Sequence, residues 1–94
     1  MRKMGRPKLR RRIDFSPRAV YFKPQGVPLK LLDAVHLTVE EAEALRLKNV
    51  EDLDQKDCAE KMNTSQSTFQ RILSSAQKKV SVAIIKGKAI KILQ

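Results

Sequence analysis

Hydrophobic positions recur at two different periods along this 94-residue chain, and the switches between them mark its elements. The most regular stretch lies late. Phe69, Ile72, Leu73, Ala76, Val80, Ala83 and Ile84 follow a three-four alternation, which predicts one long amphipathic helix from Ser65 to Lys86. Ser65 can cap its start, and Gly87 can end it in the left-handed conformation with Lys86 in the last turn. Just upstream, Cys58, Ala59 and Met62 share helical spacing behind a capping Asp54, predicting a shorter helix through Met62. Ala59 is small, as the crossing of two helices requires. Asn63, four residues on, suits a turn that needs positive φ. Gln55 to Ser74 therefore reads as helix, tight turn, helix.

Upstream of that pair, Val39, Ala42 and Leu45 recur at helical spacing, and Leu47 and Val50 widen the apolar face. Thr38 and Glu41 form a capping-box pattern, so a helix is expected from Thr38 to about Val50. Glu40, Glu41 and Glu43 are expected as a solvated helix start that complements the dipole, not as catalytic carboxylates. Near both ends of the chain the pattern shortens. Ala19 to Lys23 is a β-prone run closed by Pro24 and Gly26, and in Lys88 to Gln94 the residues Ile90 and Ile92 alternate with lysine. Two such strands pair either with each other or across a dimer. Pro28 can open a brief helical turn through Leu29, Leu31 and Leu32 that ends near His36. His36 has no partner at metal-ligand spacing and reads as a loop or edge residue. The expected fold is mainly α, of winged-helix-like size, with one or two short flanking strands. Residues 13–94 form its single domain around a helix-turn-helix core at 38–86, and residues 1–12 form a flexible basic arm.

Composition narrows this further. Apolar content is 41% but aromatic content only 4%, so the core must be aliphatic. The one cysteine, Cys58, rules out an internal disulfide and faces inward, where a free thiol acts as a small hydrophobe. Net charge is +10 and unevenly spread: +7 over residues 1–12, +1 over 13–36, −4 over 37–63 and +6 over 64–94. Basic ends around an acidic middle suit a polyanion-binding face backed by a scaffold. No stretch approaches the ~20 apolar residues of a membrane span. The basic start leads into no apolar signal segment, so a cytoplasmic, nucleoid-associated protein without membrane contact is expected.

Candidate chemistry follows from the helix pair. With Phe69 and Ile72 turned inward, the opposite face carries Gln66, Ser67, Gln70 and Arg71, near the helix start where a groove-bound helix meets base edges. Glutamine can bond adenine and arginine guanine in bidentate fashion, which makes these four the candidate base contacts. Ser65 and Thr68 beside the helix N–H groups, and Lys78 and Lys79 further along, are candidate phosphate contacts. So are Arg6, Lys8, Arg10, Arg11 and Arg12 of the arm. Gly5-Arg6-Pro7 resembles the core of an AT-hook, which enters the minor groove, although Met4 stands where that pattern has arginine. Double-stranded DNA is the expected partner. RNA polymerase, met through the acidic face of the Val39–Val50 helix, and a second copy of the chain are the alternatives. RNA fits less well, because stacking aromatics are scarce. No histidine pair, nucleophile-base arrangement or glycine-rich phosphate loop occurs, so neither catalysis, a cofactor nor a metal is expected.

The same residues carry a resemblance. Residues 37–80 resemble the region-four helix-turn-helix of sigma factors. Phe22-Lys23-Pro24-Gln25-Gly26, Glu43-Ala44-Leu45-Arg46-Leu47, Met62, Ser65, Thr68, Phe69, Arg71 and Gly87-Lys88-Ala89 together resemble domain-of-unknown-function family 134 of small prokaryotic proteins. The likeness spans roughly residues 6 to 93. It implies a DNA-binding protein and a transcriptional role. Gln66 and Gln77 stand where that family often has arginine, which bears on affinity or base preference and not on the fold.

Overall fold

The computed structural model describes residues 11–93, and their architecture is mainly α with a small sheet. In chain order the elements are β1 (Tyr21–Phe22), a 3-10 turn (Leu29–Leu31), β2 (Ala34–Thr38), α1 (Val39–Leu45), a π-helical turn (Arg46–Val50), α2 (Gln55–Lys61), α3 (Gln66–Lys86) and β3 (Ala89–Leu93). Each helix begins where a local cap allows it. Thr38 Oγ1 accepts the Glu41 N–H while Glu41 accepts the Thr38 N–H, completing the capping box. Asp54 and Ser65 accept from Asp57 and Thr68 in the same way. Gly87, at φ +67°, closes α3 in the left-handed region.

The sheet has the order β1-β3-β2. β3 is central, antiparallel to β1 through Tyr21↔Lys91 and Phe22↔Ile90, and parallel to β2 from Ala34↔Ala89 to Thr38↔Leu93. The two terminal strands thus pair within the chain. β2 is a third strand where the sequence suggested a helical turn ending near His36. That turn stops at Leu31, and Ala34–Thr38 extends instead because the parallel ladder with β3 supplies its backbone partners and covers Leu37. His36 lies exposed on this edge strand.

Two apolar clusters hold the layers together. One joins Ala44, Leu47, Cys58, Ala59, Met62, Phe69 and Leu73 between α1, α2 and α3. The other joins Leu37, Ala42, Ala76 and Ile92 between the sheet and the helices, and Leu45 packs against both. Two expected core positions lie outside. Val50 is 74% exposed because the wider turn of Arg46–Val50, marked by the Glu51 N–H bonding the Arg46 carbonyl at 2.8 Å, rotates it off the apolar face. Ile84 is 70% exposed because α3 buries Ala83, one residue earlier, against the sheet end.

The acidic start of α1 is not the solvated surface expected. Glu43 is fully buried and Glu41 nearly so. Glu43 accepts Arg46 Nε at 2.7 Å, Arg46 Nη2 at 3.0 Å and the Asp14 N–H at 2.9 Å, and the Arg46 guanidinium also lies over the Phe15 ring. Glu41 accepts Lys79 Nζ at 2.8 Å and the Ser75 hydroxyl. These carboxylates tie the incoming chain and α3 to α1. Among the described residues no helix is long and apolar enough to cross a membrane.

Candidate nucleic-acid interface

The helix pair is fixed by small, local devices. Cys58, Ala59 and Met62 face inward from α2 and meet Phe69 and Leu73 of α3. At the turn, Asn63 takes φ +56°, its N–H bonds the Glu60 carbonyl at 3.1 Å, and the Thr64 N–H reaches the Ala59 carbonyl at 3.0 Å. These two bonds satisfy carbonyls that the end of α2 would otherwise leave open. Gln55 Nε2 donates to the Gln66 carbonyl at 3.1 Å, pinning the start of α2 to the start of α3. No feature of the sequence singled out Gln55; its reach becomes visible only once the helices cross.

On α3, Gln66, Ser67, Gln70 and Arg71 are all exposed and cover the first two turns of one face. Ser65 is an exposed cap, and its hydroxyl donates to Thr68 Oγ1 at 3.0 Å; Thr68 is half-buried. Gln70 Nε2 donates to Ser74 Oγ at 2.9 Å, an exposed bond that lies along the helix. No acid occupies the first turn of α3. Its open N–H groups therefore present positive potential without a competing carboxylate on the same turn.

The end of the basic arm meets this face. The Arg12 N–H donates to the Met62 carbonyl at 3.1 Å, fastening the chain at the turn, while its side chain pairs with Asp14 at 3.1 Å. Arg11 pairs with Glu40 at 3.0 Å and lines a shallow groove with Thr68, Arg71 and Ser75, in which Glu40 and Glu41 also stand. Both pairs are exposed, so little free energy is needed to exchange them for another anion. Lys78 is exposed further along α3. Lys79 is not the free cation the sequence suggested. It bonds Glu41 and the His36 carbonyl, both at 2.8 Å, and so belongs to the scaffold. Arg6, Lys8, Arg10 and the Gly5-Arg6-Pro7 motif lie outside the described residues.

Burial alone pushes the Glu41 carboxyl up, but hydrogen bonds from Lys79, Ser75 and the Thr38 N–H outweigh it and hold the group below its ordinary range. The Arg46 guanidinium is held above its ordinary value, chiefly by its bonds to Glu43. Burial pushes the Cys58 thiol up, and the thiol donates to the Leu53 carbonyl at 3.6 Å, as befits a packed side chain. Among the described residues no group of histidine, cysteine or carboxylate side chains is placed to hold a metal ion.

The fold and this face define a small, mainly α domain in which an exposed polar helix start lies near Arg11 and Arg12. The chain belongs to the family described as protein of unknown function DUF134, whose model matches residues 1–94. Similar proteins include a UPF0251 protein of Desulforudis audaxviator, 55% identical over 95% of this chain and 58% of its own length. A UPF0251 protein of Moorella thermoacetica is 53% identical over 95% of this chain and 60% of its own length. One of Halothermothrix orenii is 47% identical over 94% and 65%. The chain thus spans about three fifths of the length of these relatives. No solved structure matches it.

Proposed function

We propose that this domain binds double-stranded DNA sequence-specifically, as a transcriptional regulator, with the start of α3 in the major groove. The observation that carries the reading is the exposed run Gln66, Ser67, Gln70 and Arg71 on a helix start free of acids and braced at its turn. Such a surface offers both donors and acceptors to base edges, while the Ser65 cap and the helix N–H groups suit phosphate. Gln70 must release Ser74 to read a base, an exposed bond worth about 0.5–1.5 kcal/mol at most, against about 1–3 kcal/mol of discrimination from a bidentate contact to adenine. Arg11, which shares a groove with Arg71 and can exchange Glu40 for a phosphate, and the exposed Lys78 add positive charge to the contact.

Docking on RNA polymerase through an acidic face of the Val39–Val50 helix has little to draw on. Glu41 and Glu43 are buried and committed, and Glu40 is paired with Arg11.

Selection of duplexes from a random library by the full chain, followed by affinity measurement across salt, tests the proposal. Log affinity should fall by ~0.9 per neutralised phosphate for each unit of log salt. Arg71→Ala should erase preference at one base pair, about 1–3 kcal/mol, with helicity unchanged. Equal affinity of Arg71→Ala, Gln70→Ala and the parent chain for every duplex would show that this helix reads nothing.

A further inference from the structure

Toward the other end of α3 lies a surface that DNA contact does not use. Single exposed apolar residues are ordinary, but here they are gathered. Phe22, Val50, Val80 and Ile90 line one groove of ≈ 400 Å³, and Phe22 and Ile90 also line the groove beside it, together with Ile84 and Lys88. The shared residues make the two grooves one apolar trough. Asn49 and Gln77, 3.5 Å apart, place its Val50 end against α3 a turn before Val80. Phe22 is 53% exposed, and Ile84 protrudes at 70%.

The two ends of the trough differ in sign. Past Val50 come Glu51 and Asp52, both exposed. Glu51 pairs at 3.5 Å with Arg46, which lines the same groove and is held mainly by Glu43, so this half-exposed carboxylate exchanges partners at little cost. At the opposite end Lys23 and Lys88 line the wall, with Lys86 exposed nearby.

We propose that this trough is the contact with a second copy of the chain, related by a twofold axis. An isologous contact sets the same patch against itself in reversed direction, so the acidic end of each copy meets the basic end of the other. Ile84 of each copy then enters the apolar stretch of its mate. The opposed ends also answer an objection. Two copies at +10 each repel one another overall, and pairing Glu51 with Lys88 twice places attraction where the surfaces touch.

The dimer does not depend on DNA binding, but one consequence does. From Gln66–Arg71 to Val80–Ile84 the helix runs on the order of 20 Å at ~1.5 Å per residue. Two copies joined at the trough hold their helix starts on the order of 40 Å apart, comparable to the ~34 Å between half-sites one turn apart.

Sedimentation equilibrium of the full chain should give twice the 10.7 kDa chain mass. Ile84→Glu, at an exposed position, should weaken association by about tenfold or more with an unchanged circular dichroism spectrum. Glu51→Lys and Lys88→Glu should each weaken it, and an equimolar mixture of those two variants should restore it, because every cross-pair is then of opposite sign. A chain that stays monomeric into the ~1 mM range overturns the proposal. So does a dimer indifferent to Ile84→Glu, or a mixture that fails to recover. A dimer that selects an undivided, non-palindromic duplex would leave the trough standing and refute the half-site arrangement.

Discussion

At the start of α3 the polar side chains face solvent, bonded along the helix or to a neighbour's hydroxyl; two turns further on, Ser75 and Lys79 turn inward and close on Glu41. The helix is one and the residue types are similar, yet one group stays available and the other is consumed. What separates them is the element opposite. Over Ser75 and Lys79 stand the buried start of α1 and the edge of β2, so their donors satisfy an acceptor already taken out of water. Among the described residues no such element covers the side chains of Gln66, Ser67, Gln70 and Arg71, which stay exposed. In a basic protein, charge count therefore overstates what is free to bind an anion, and the partner across the interface decides which cations remain.

The sharpest way to break this division is to compare adjacent residues. Phe69 is fully buried between α2 and α3, and Gln70 beside it is exposed. Phe69→Ala should cost about 3–5 kcal/mol in urea unfolding, through the lost transfer free energy and the cavity left behind. Gln70→Ala should stay within about 0.5 kcal/mol. A comparable loss from both would mean that the exposed face is also structural.

Lys78 and Lys79 give the next test. Lys79→Met leaves the Glu41 carboxylate, 8% exposed, without its cation, and should cost about 3 kcal/mol. Lys78→Met should change stability by less than about 0.5 kcal/mol and, on the proposed function, flatten the salt dependence of duplex binding by about one ion. Thermal or urea unfolding of the two variants reads the first contrast and a salt titration the second. A Lys79→Met protein as stable as the parent would remove the ion pair from the account of the scaffold.

The features legible in the sequence are those whose cause is local. The caps at Thr38, Asp54 and Ser65, the positive φ at Asn63, the small Ala59 and the stop at Gly87 each depend on residues within one or two turns. Helical phase was enough to put Gln66, Ser67, Gln70 and Arg71 on one exposed face. What escaped has distant causes. Ala34–Thr38 is a strand because of Ala89–Leu93, and no local pattern announces a parallel ladder across the whole helical segment. Glu41 looked like a surface acid because Lys79, its partner, lies 38 residues away. Lys79 in turn looked as free as Lys78, since one residue of helix separates a solvent-facing position from a buried one. The π-helical turn shifted Val50 outward without any change in residue type that would mark it.

Protonation offers a finer probe of the same boundary. Glu41 has a folded-state pKa below its ordinary value of 4.5, so the native state holds the charged form more strongly than the unfolded chain does. Its contribution is fully present above that ordinary value and drains away as pH falls through the lower, folded one. Glu41→Gln should therefore destabilise the protein at neutral pH and progressively cease to matter in acid. Its cost should be smaller than that of Lys79→Met, about 1–2 kcal/mol, for a geometric reason. The amide oxygen still accepts the Thr38 N–H, the amide nitrogen donates to the Ser75 hydroxyl, and Lys79, a third exposed, can turn its ammonium to water, whereas an orphaned Glu41 has nowhere to go. Unfolding free energies of parent and variant, followed from neutral pH downward, should converge. If the gap stays constant as the carboxyl titrates, the bond across α1 and α3 works through shape and not charge, and the contrast between the two ends of α3 must be drawn on packing alone.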